Sequence, residues 1–219
     1  MTGLTDWHIN SPTNELTVRK LRAGDSVYVS GTVHIFRDRA FDRALEYRLK
    51  GKELPVDLNG GVHWHCGPIV KKVRNEWIIV SAGPTTSGRM NNEEPVAIAE
   101  WGVKLVIGKG LGMGPEVVEA MKKHGAAYLS AVGGAASLYG KKIAKIKEVH
   151  WLDLGMPEAL WVVETNDLGP FQVSIDTAGN NLYDNVKHNA DSNLAQVHRK
   201  LGISNKNERT TFRKSSRRP

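Results

Sequence analysis

Apolar residues change their spacing along the chain, and the changes predict alternating strands and helices. Residues 27–35 (VYVSGTVHI) are dense in β-branched and aromatic side chains, as a strand requires. Across residues 37–50 the apolar positions Phe41, Leu45 and Leu49 recur every four residues, which predicts a helix with one buried face. Residues 54–59 and Gly60-Gly61 are rich in turn formers. Residues 69–73 and 77–81 flank Arg74-Asn75-Glu76 as the two arms of a hairpin. Gly83-Pro84 then breaks the second arm and opens a polar loop over residues 85–94.

The second half reads as βα units. A short strand over 103–107 runs into a glycine-rich stretch, Gly108 to Gly114. Pro115 suits the first position of a helix and Glu116 its first turn, while Lys122, Lys123 and Gly125 mark its end near His124. A strand over 127–132 leads through Gly133-Gly134 into a small-residue helix over 135–139. Further strands are expected over 146–151, 160–164 and 171–175, a turn over 176–181 and a terminal helix over 181–201. The fold class that follows is one α/β domain over residues 25–202, with residues 1–24 as a lead-in and 203–219 as a basic, disordered tail.

Composition narrows the classes. In 219 residues, 24% are charged and 40% hydrophobic, an ordinary balance for a soluble globular protein. No apolar run approaches the ~18–20 residues that span a bilayer. The polar N-terminus lacks a signal-peptide pattern, so the cytoplasm is the expected location. Cys66 is the single cysteine, which excludes an internal disulfide framework and a cluster held on this chain's own thiolates. Of the net charge of +7, Lys206, Arg209, Arg213, Lys214, Arg217 and Arg218 against Glu208 contribute +5. The body is therefore nearly neutral, and the charge reads as a solvated tail rather than a nucleic-acid surface.

Three segments could carry chemistry. The loop Gly108 to Gly114 follows a strand and precedes a helix, where anions bind, but its spacing fits neither a dinucleotide fingerprint nor a Walker loop. Its glycines serve tight turns equally well; Lys109 between two of them favours a carboxylate or phosphate. SAGPTTSGRM places Thr85, Thr86 and Ser87 close to Arg89, a set able to wrap an oxyanion or to form an ordinary polar turn. Arg37-Asp38 is either a charged site pair or a helix cap. Arg37, Arg89 and Lys109 together suit a small dianion. His63 and His65 alternate as strand residues do and read as structural histidines rather than metal ligands, and Cys66 reads as a buried thiol.

These motifs carry a resemblance. SAGPTTSGRM, VIGKG, AVGGAA, DLGMPEALWV and SIDTAGNNLY, with GTVHIFRD and DLNGGVHWHCGPIV upstream, resemble the β subunit or C-terminal region of class I fumarases and L-tartrate dehydratases. The resemblance covers residues 25–183. It implies a swivelling β/β/α domain with a mixed sheet and flanking helices. It also implies a 4Fe–4S hydro-lyase whose cluster sits on a partner α subunit, in an α2β2-type assembly, with no membrane partner. Carried over motif by motif, Thr85 becomes the catalytic base and Lys109 its activator or a carboxylate contact. Arg37, Thr86 and Arg89 become substrate-binding groups for the dicarboxylate. One departure stands out: the family's first motif reads RDxxH, whereas this chain has Phe41 at the histidine position. AVGGAASL leans towards fumarate hydration and HWLDLGMPEALWV towards L-tartrate dehydration; fumarate is the expected substrate. The competing expectations are a non-catalytic dicarboxylate-binding or regulatory subunit, which Phe41 favours, and a nucleic-acid binder acting through the tail.

Overall fold

A computed structural model describes residues 4–110 and 112–203; the basic stretch from Lys206 onward lies outside the described residues. The strands are β1 (Asp6–Ser11), β2 (Ser26–Phe36), β3 (Val62–His65), β4 (Ile69–Val73), β5 (Glu76–Ser81), β6 (Leu105–Gly108), β7 (Ala127–Ser130), β8 (Ile143–His150) and β9 (Leu160–Ile175). The α-helices are α1 (Glu15–Val18), α2 (Asp38–Leu49), α3 (Glu94–Ala99), α4 (Pro115–His124), α5 (Ala136–Gly140) and α6 (Leu182–Lys200). A compact unit runs to Tyr183, and residues from Asp184 onward form a second unit. Within that second unit, the helix carries an ion pair between Lys187 and Asp191 at 2.7 Å.

The expected α/β fold is present, with a mixed sheet. Strands β1, β2, β3, β6 and β7 lie side by side in parallel, and β9 runs antiparallel to β7, β2 and β8. Because β9 pairs with both β2 and β7, the sheet closes on itself. Period-two alternation then divides the strand residues between two cores. Val62, Trp64, Ile107, Leu129 and Trp161 pack into one; Val106, Tyr128 and Val162 join Phe41, Ile98 and Val117 of α2, α3 and α4 in the other. His63 and His65 share the alternation of β3 with Val62 and Trp64, and all four are buried.

Some elements follow local signals closely. Pro115 opens α4 and Gly125 closes it in the left-handed conformation at φ 64°, where a side chain would be strained. The hairpin β4–β5 forms as read, with Arg74 and Asn75 at positive φ in its turn. Other elements differ from the sequence reading. The strands expected at 160–164 and 171–175 are one strand, because both halves pair with the long β2: Trp161 lies opposite Ile35 and Phe171 opposite Val27. Residues ahead of Asp25, expected as a lead-in, add β1 to the sheet from Asp6 against Ser26 to Ser11 against Gly31. The buried Asp25 carboxylate holds them, accepting hydrogen bonds from the Thr5 and Arg22 backbone and from Trp7 Nε1. The polar loop after Gly83-Pro84 contains a 3-10 turn, Ser87–Met90, and then α3, which is too short to show helical periodicity. Among the described residues, no helix is long and apolar enough to cross a membrane.

Candidate active site

Six of the quoted motifs meet at one rim of the sheet. Strand β2 ends at Phe36, so Arg37 leaves the sheet edge at the start of α2. Its Nη2 lies 2.7 Å from Glu158 of the DLGMPE motif, and its Nε 3.2 Å from Asp38. The pair does not cap α2 through Arg37: that side chain makes no capping bond, and Glu158 instead accepts the Arg39 N–H at 3.1 Å. Gly67 completes the wall, since a Cβ there would lie 3.1 Å from Arg37 Nη1 and crowd Pro157.

Arg89 approaches the same place from the 3-10 turn. Its Nε and Nη2 each donate to one oxygen of Asp38 at 2.8 Å, and Nη2 also donates to the Thr85 hydroxyl at 2.8 Å. The Arg89 bonds hold the Asp38 carboxyl down to about 2, so it is ionised throughout the physiological range. Thr85 itself is tied to the sheet, its N–H donating to the His65 carbonyl at 2.7 Å.

Lys109 follows β6 and is bound to the threonine turn by its backbone. Thr86 and Lys109 form a parallel bridge, and the Ser87 N–H donates to the Lys109 carbonyl at 3.0 Å. The Lys109 ammonium stands beside Gly133 of AVGGAA, 3.5 Å from where a Cβ would sit. Among the described residues, Arg37 and Arg89 are each paired with carboxylates, and no ion pair joins Lys109 to one. Lys109 is thus the cation with charge to spare.

Beneath this rim lies a dry polar layer. His63, His65, Ser87 and Glu94 are all fully buried. Tyr128 donates to Ser87 Oγ at 3.0 Å, Ser87 Oγ meets His65 Nδ1 at 2.9 Å, and His65 Nε2 meets Glu94 at 2.8 Å. Glu94 also meets His63 Nδ1 at 3.1 Å, and His63 Nε2 reaches the Phe36 carbonyl at 3.2 Å. Burial pushes the Glu94 carboxyl up, but His63 and His65 together outweigh it and hold it down to about 2. The ligand-type atoms of His63, His65 and Glu94 lie within 4.8 Å of one another, and their direct contacts have hydrogen-bond lengths.

Phe41 and Cys66 are core residues. Phe41 is fully buried, its ring 5.3 Å from both Phe36 and His63 and edge-on to each. Cys66 is buried among the apolar side chains of the sheet, and burial pushes its thiol up despite Arg37 nearby. A neutral buried thiol is a poor ligand for iron, so Cys66 does not fit as a cluster ligand.

Over residues 4–186 the sequence matches the Fumarase C-terminus family. The chain belongs to this family. It is 44% identical to the L(+)-tartrate dehydratase subunit beta of Escherichia coli over 174 residues, covering 80% of this chain and 85% of that one. A Methanocaldococcus jannaschii protein provisionally named L(+)-tartrate dehydratase subunit beta is 40% identical over 188 residues, covering 84% of this chain and 96% of that one. A Geobacillus stearothermophilus protein provisionally named class I fumarate hydratase is 36% identical over 189 residues, covering 86% of this chain and 35% of the longer relative.

Arg37, Thr85, Thr86, Arg89 and Lys109 thus lie along one rim of the sheet. Sequence reasoning missed Asp38 as the acceptor shared by both arginines, Glu158 as the second anion, and Glu94 beneath them; Ser87, read with the rim hydroxyls, is instead buried in the layer below. Asp38 and Glu158 stood within quoted motifs. Glu94 had no signal, because only the fold sets α3 against His63 and His65.

Proposed function

We propose that this chain is the β subunit of an iron–sulfur hydro-lyase acting on a four-carbon dicarboxylate, with hydration of fumarate to L-malate as its reaction. The observation that carries the reading is the single rim on which Thr85, Arg89, Arg37 and Lys109 stand, with Arg89 donating directly to the Thr85 hydroxyl. A 4Fe–4S cluster on a partner α subunit would supply Lewis acidity towards a substrate oxygen.

The remaining work falls to this chain. Lys109, with no carboxylate partner among the described residues, offers a charge-assisted bond to one substrate carboxylate. Arg37 and Arg89 keep their planes fixed by Asp38 and Glu158 and present remaining N–H groups to the other. Thr86, exposed beside Lys109, adds a hydroxyl donor. In the dehydration direction an ionised Thr85 takes the proton from the substrate carbon as base, and in hydration the Thr85 hydroxyl delivers that proton to the carbon. A threonine hydroxyl ionises far above neutral pH, and the Arg89 guanidinium at its oxygen favours the ionised form. The sequence left Lys109 as activator or carboxylate contact; the direct bond from Arg89 to the hydroxyl supports Arg89 as the activator and Lys109 as the carboxylate contact.

A second reading, L-tartrate dehydration, is favoured by the names of the relatives that this chain matches nearly end to end. The same cations would serve both substrates. The test is anaerobic assay of fumarate hydration and of L-malate and L-tartrate dehydration, with this chain alone and with its cluster-bearing partner. Activity in the pair only, lost on exposure to oxygen, supports the proposal, and the preferred substrate decides between the readings. A stable pair inactive on all three substrates overturns both in favour of a regulatory subunit.

A further inference from the structure

The hydrogen-bonded layer under the rim needs one proton more than neutral histidines and an ionised Glu94 would supply. The Phe36 carbonyl only accepts, so His63 Nε2 must carry hydrogen. Tyr128 donates to Ser87, and Ser87 in turn donates to His65 Nδ1, which leaves the His65 hydrogen on Nε2, facing Glu94. One contact remains, between His63 Nδ1 and the Glu94 carboxylate at 3.1 Å. With a neutral His63 and an ionised Glu94, two lone pairs would face each other there. One additional proton resolves the contact, and reversing Ser87 towards His65 would demand a second.

We propose that His63 and Glu94 share this proton as a buried imidazolium–carboxylate pair, and that the pair is the positioning device holding the Thr85–Arg89 turn against the Arg37 strand end. The consequence for the site rests on the hydro-lyase reading; the protonation state does not.

The connections reach the backbone around every candidate site residue. Phe36, which accepts from His63, directly precedes Arg37. The His65 carbonyl accepts from the Thr85 N–H, and Ser87 sits between Thr86 and Arg89 while its own N–H bonds to Lys109. Gly108 leaves room for this packing: a Cβ there would run into Ser87 Oγ. Phe41 closes the same pocket from α2, with its ring edge-on to His63.

The other histidines facing the pair are held neutral, chiefly by burial. His34 lies opposite His63 across the β2–β3 ladder, and burial and the charge of His63 push it down to about 4. Burial and His63 likewise push His65 down. Both neighbours are therefore neutral, and His63 and Glu94 cancel each other in a site where a lone charge would be costly.

The test is nitrogen NMR of histidine-labelled full-length chain at neutral pH, with His63 assigned by comparison with His63→Gln. Both His63 ring nitrogens should carry hydrogen, His65 should be neutral, and Glu94→Gln should convert His63 to a neutral ring. A neutral His63 in the unaltered chain, or a stoichiometric bound zinc ion, would overturn the shared proton whatever the enzyme's substrate. For positioning, hydrogen exchange of the Thr85 and Ser87 amides should accelerate about tenfold or more in Glu94→Gln, while amides of the β8–β9 ladder keep their rates. Unchanged exchange at Thr85 and Ser87 overturns the positioning role, and loss of protection throughout shows that the pair serves overall stability instead. Activity enters neither measurement, so they stand or fall separately from the hydro-lyase assay.

Discussion

Arg89 grips Asp38 at two points, with Nε and Nη2 each 2.8 Å from one carboxylate oxygen, while the same Nη2 stands 2.8 Å from the Thr85 hydroxyl. Asp38 thereby fixes the plane of the guanidinium that touches the candidate base, and it draws Arg37 into the same network. A flexible arginine becomes a fixed donor.

Replacing Asp38 by Asn should loosen that plane without emptying the site. Turnover of the assembled enzyme is expected to fall about ten- to hundredfold, with KM changed by no more than about threefold. Steady-state kinetics separates the two; an unaltered kcat would remove Asp38 from the positioning of Arg89.

Thr85→Ala and Lys109→Gln should divide chemistry from binding. Loss of a general base typically costs about 10²–10⁴ in rate, so Thr85→Ala should lower kcat by that order while dicarboxylate binding persists. Lys109→Gln removes a charge-assisted bond and should raise KM about ten- to hundredfold. Equal loss of binding and turnover in Thr85→Ala would refute the base assignment.

Gly108 is a packing test of the same turn. Gly108→Ala drives a methyl into Ser87 Oγ, an overpacking cost of about 1–3 kcal/mol, and should lower the melting temperature by several degrees. Ser87→Gly in the same chain should recover part of that loss. A double variant no more stable than Gly108→Ala would show that the clash lies elsewhere.

His34 makes stability depend on pH. It is buried with no partner at Nδ1, and burial followed by the charge of His63 depresses it to about 4. The unfolded chain binds this proton near pH 6.5 and the folded chain near 4, so the contribution is intact above pH 6.5 and is lost as pH falls towards 4. The full loss is on the order of 3 kcal/mol. Urea unfolding at pH 7, 5.5 and 4.5 should show a steeper fall for the natural chain than for His34→Leu; parallel curves would place the titration elsewhere.

How much of this was legible in the sequence depends on the range over which each feature is decided. Pro115, Glu116 and Gly125 act within a turn of their own backbone, so α4 could be placed from residue types alone. The cationic and hydroxyl groups at the rim were readable because each sits at the end of a strand whose β-branched run announces it. Chemistry carried by short segments survives as a pattern in chain order.

What only the tertiary structure decided lies in contacts between segments far apart in the chain. Local turn signals split β9 in two, and pairing with β2 along both halves made it one. Residues before Asp25 look like a polar lead-in until β2 supplies the hydrogen-bonding edge for β1. Asp38 could have capped a helix, and its two arginines come from different elements. His63 and His65 could only be read as alternating strand residues, because their partner Glu94 stands about thirty positions away on a helix too short to announce itself. By itself the sequence determined the local elements and the kinds of groups available. Closing the sheet decided which groups meet and how far they are from water, and hence their charge and bonding.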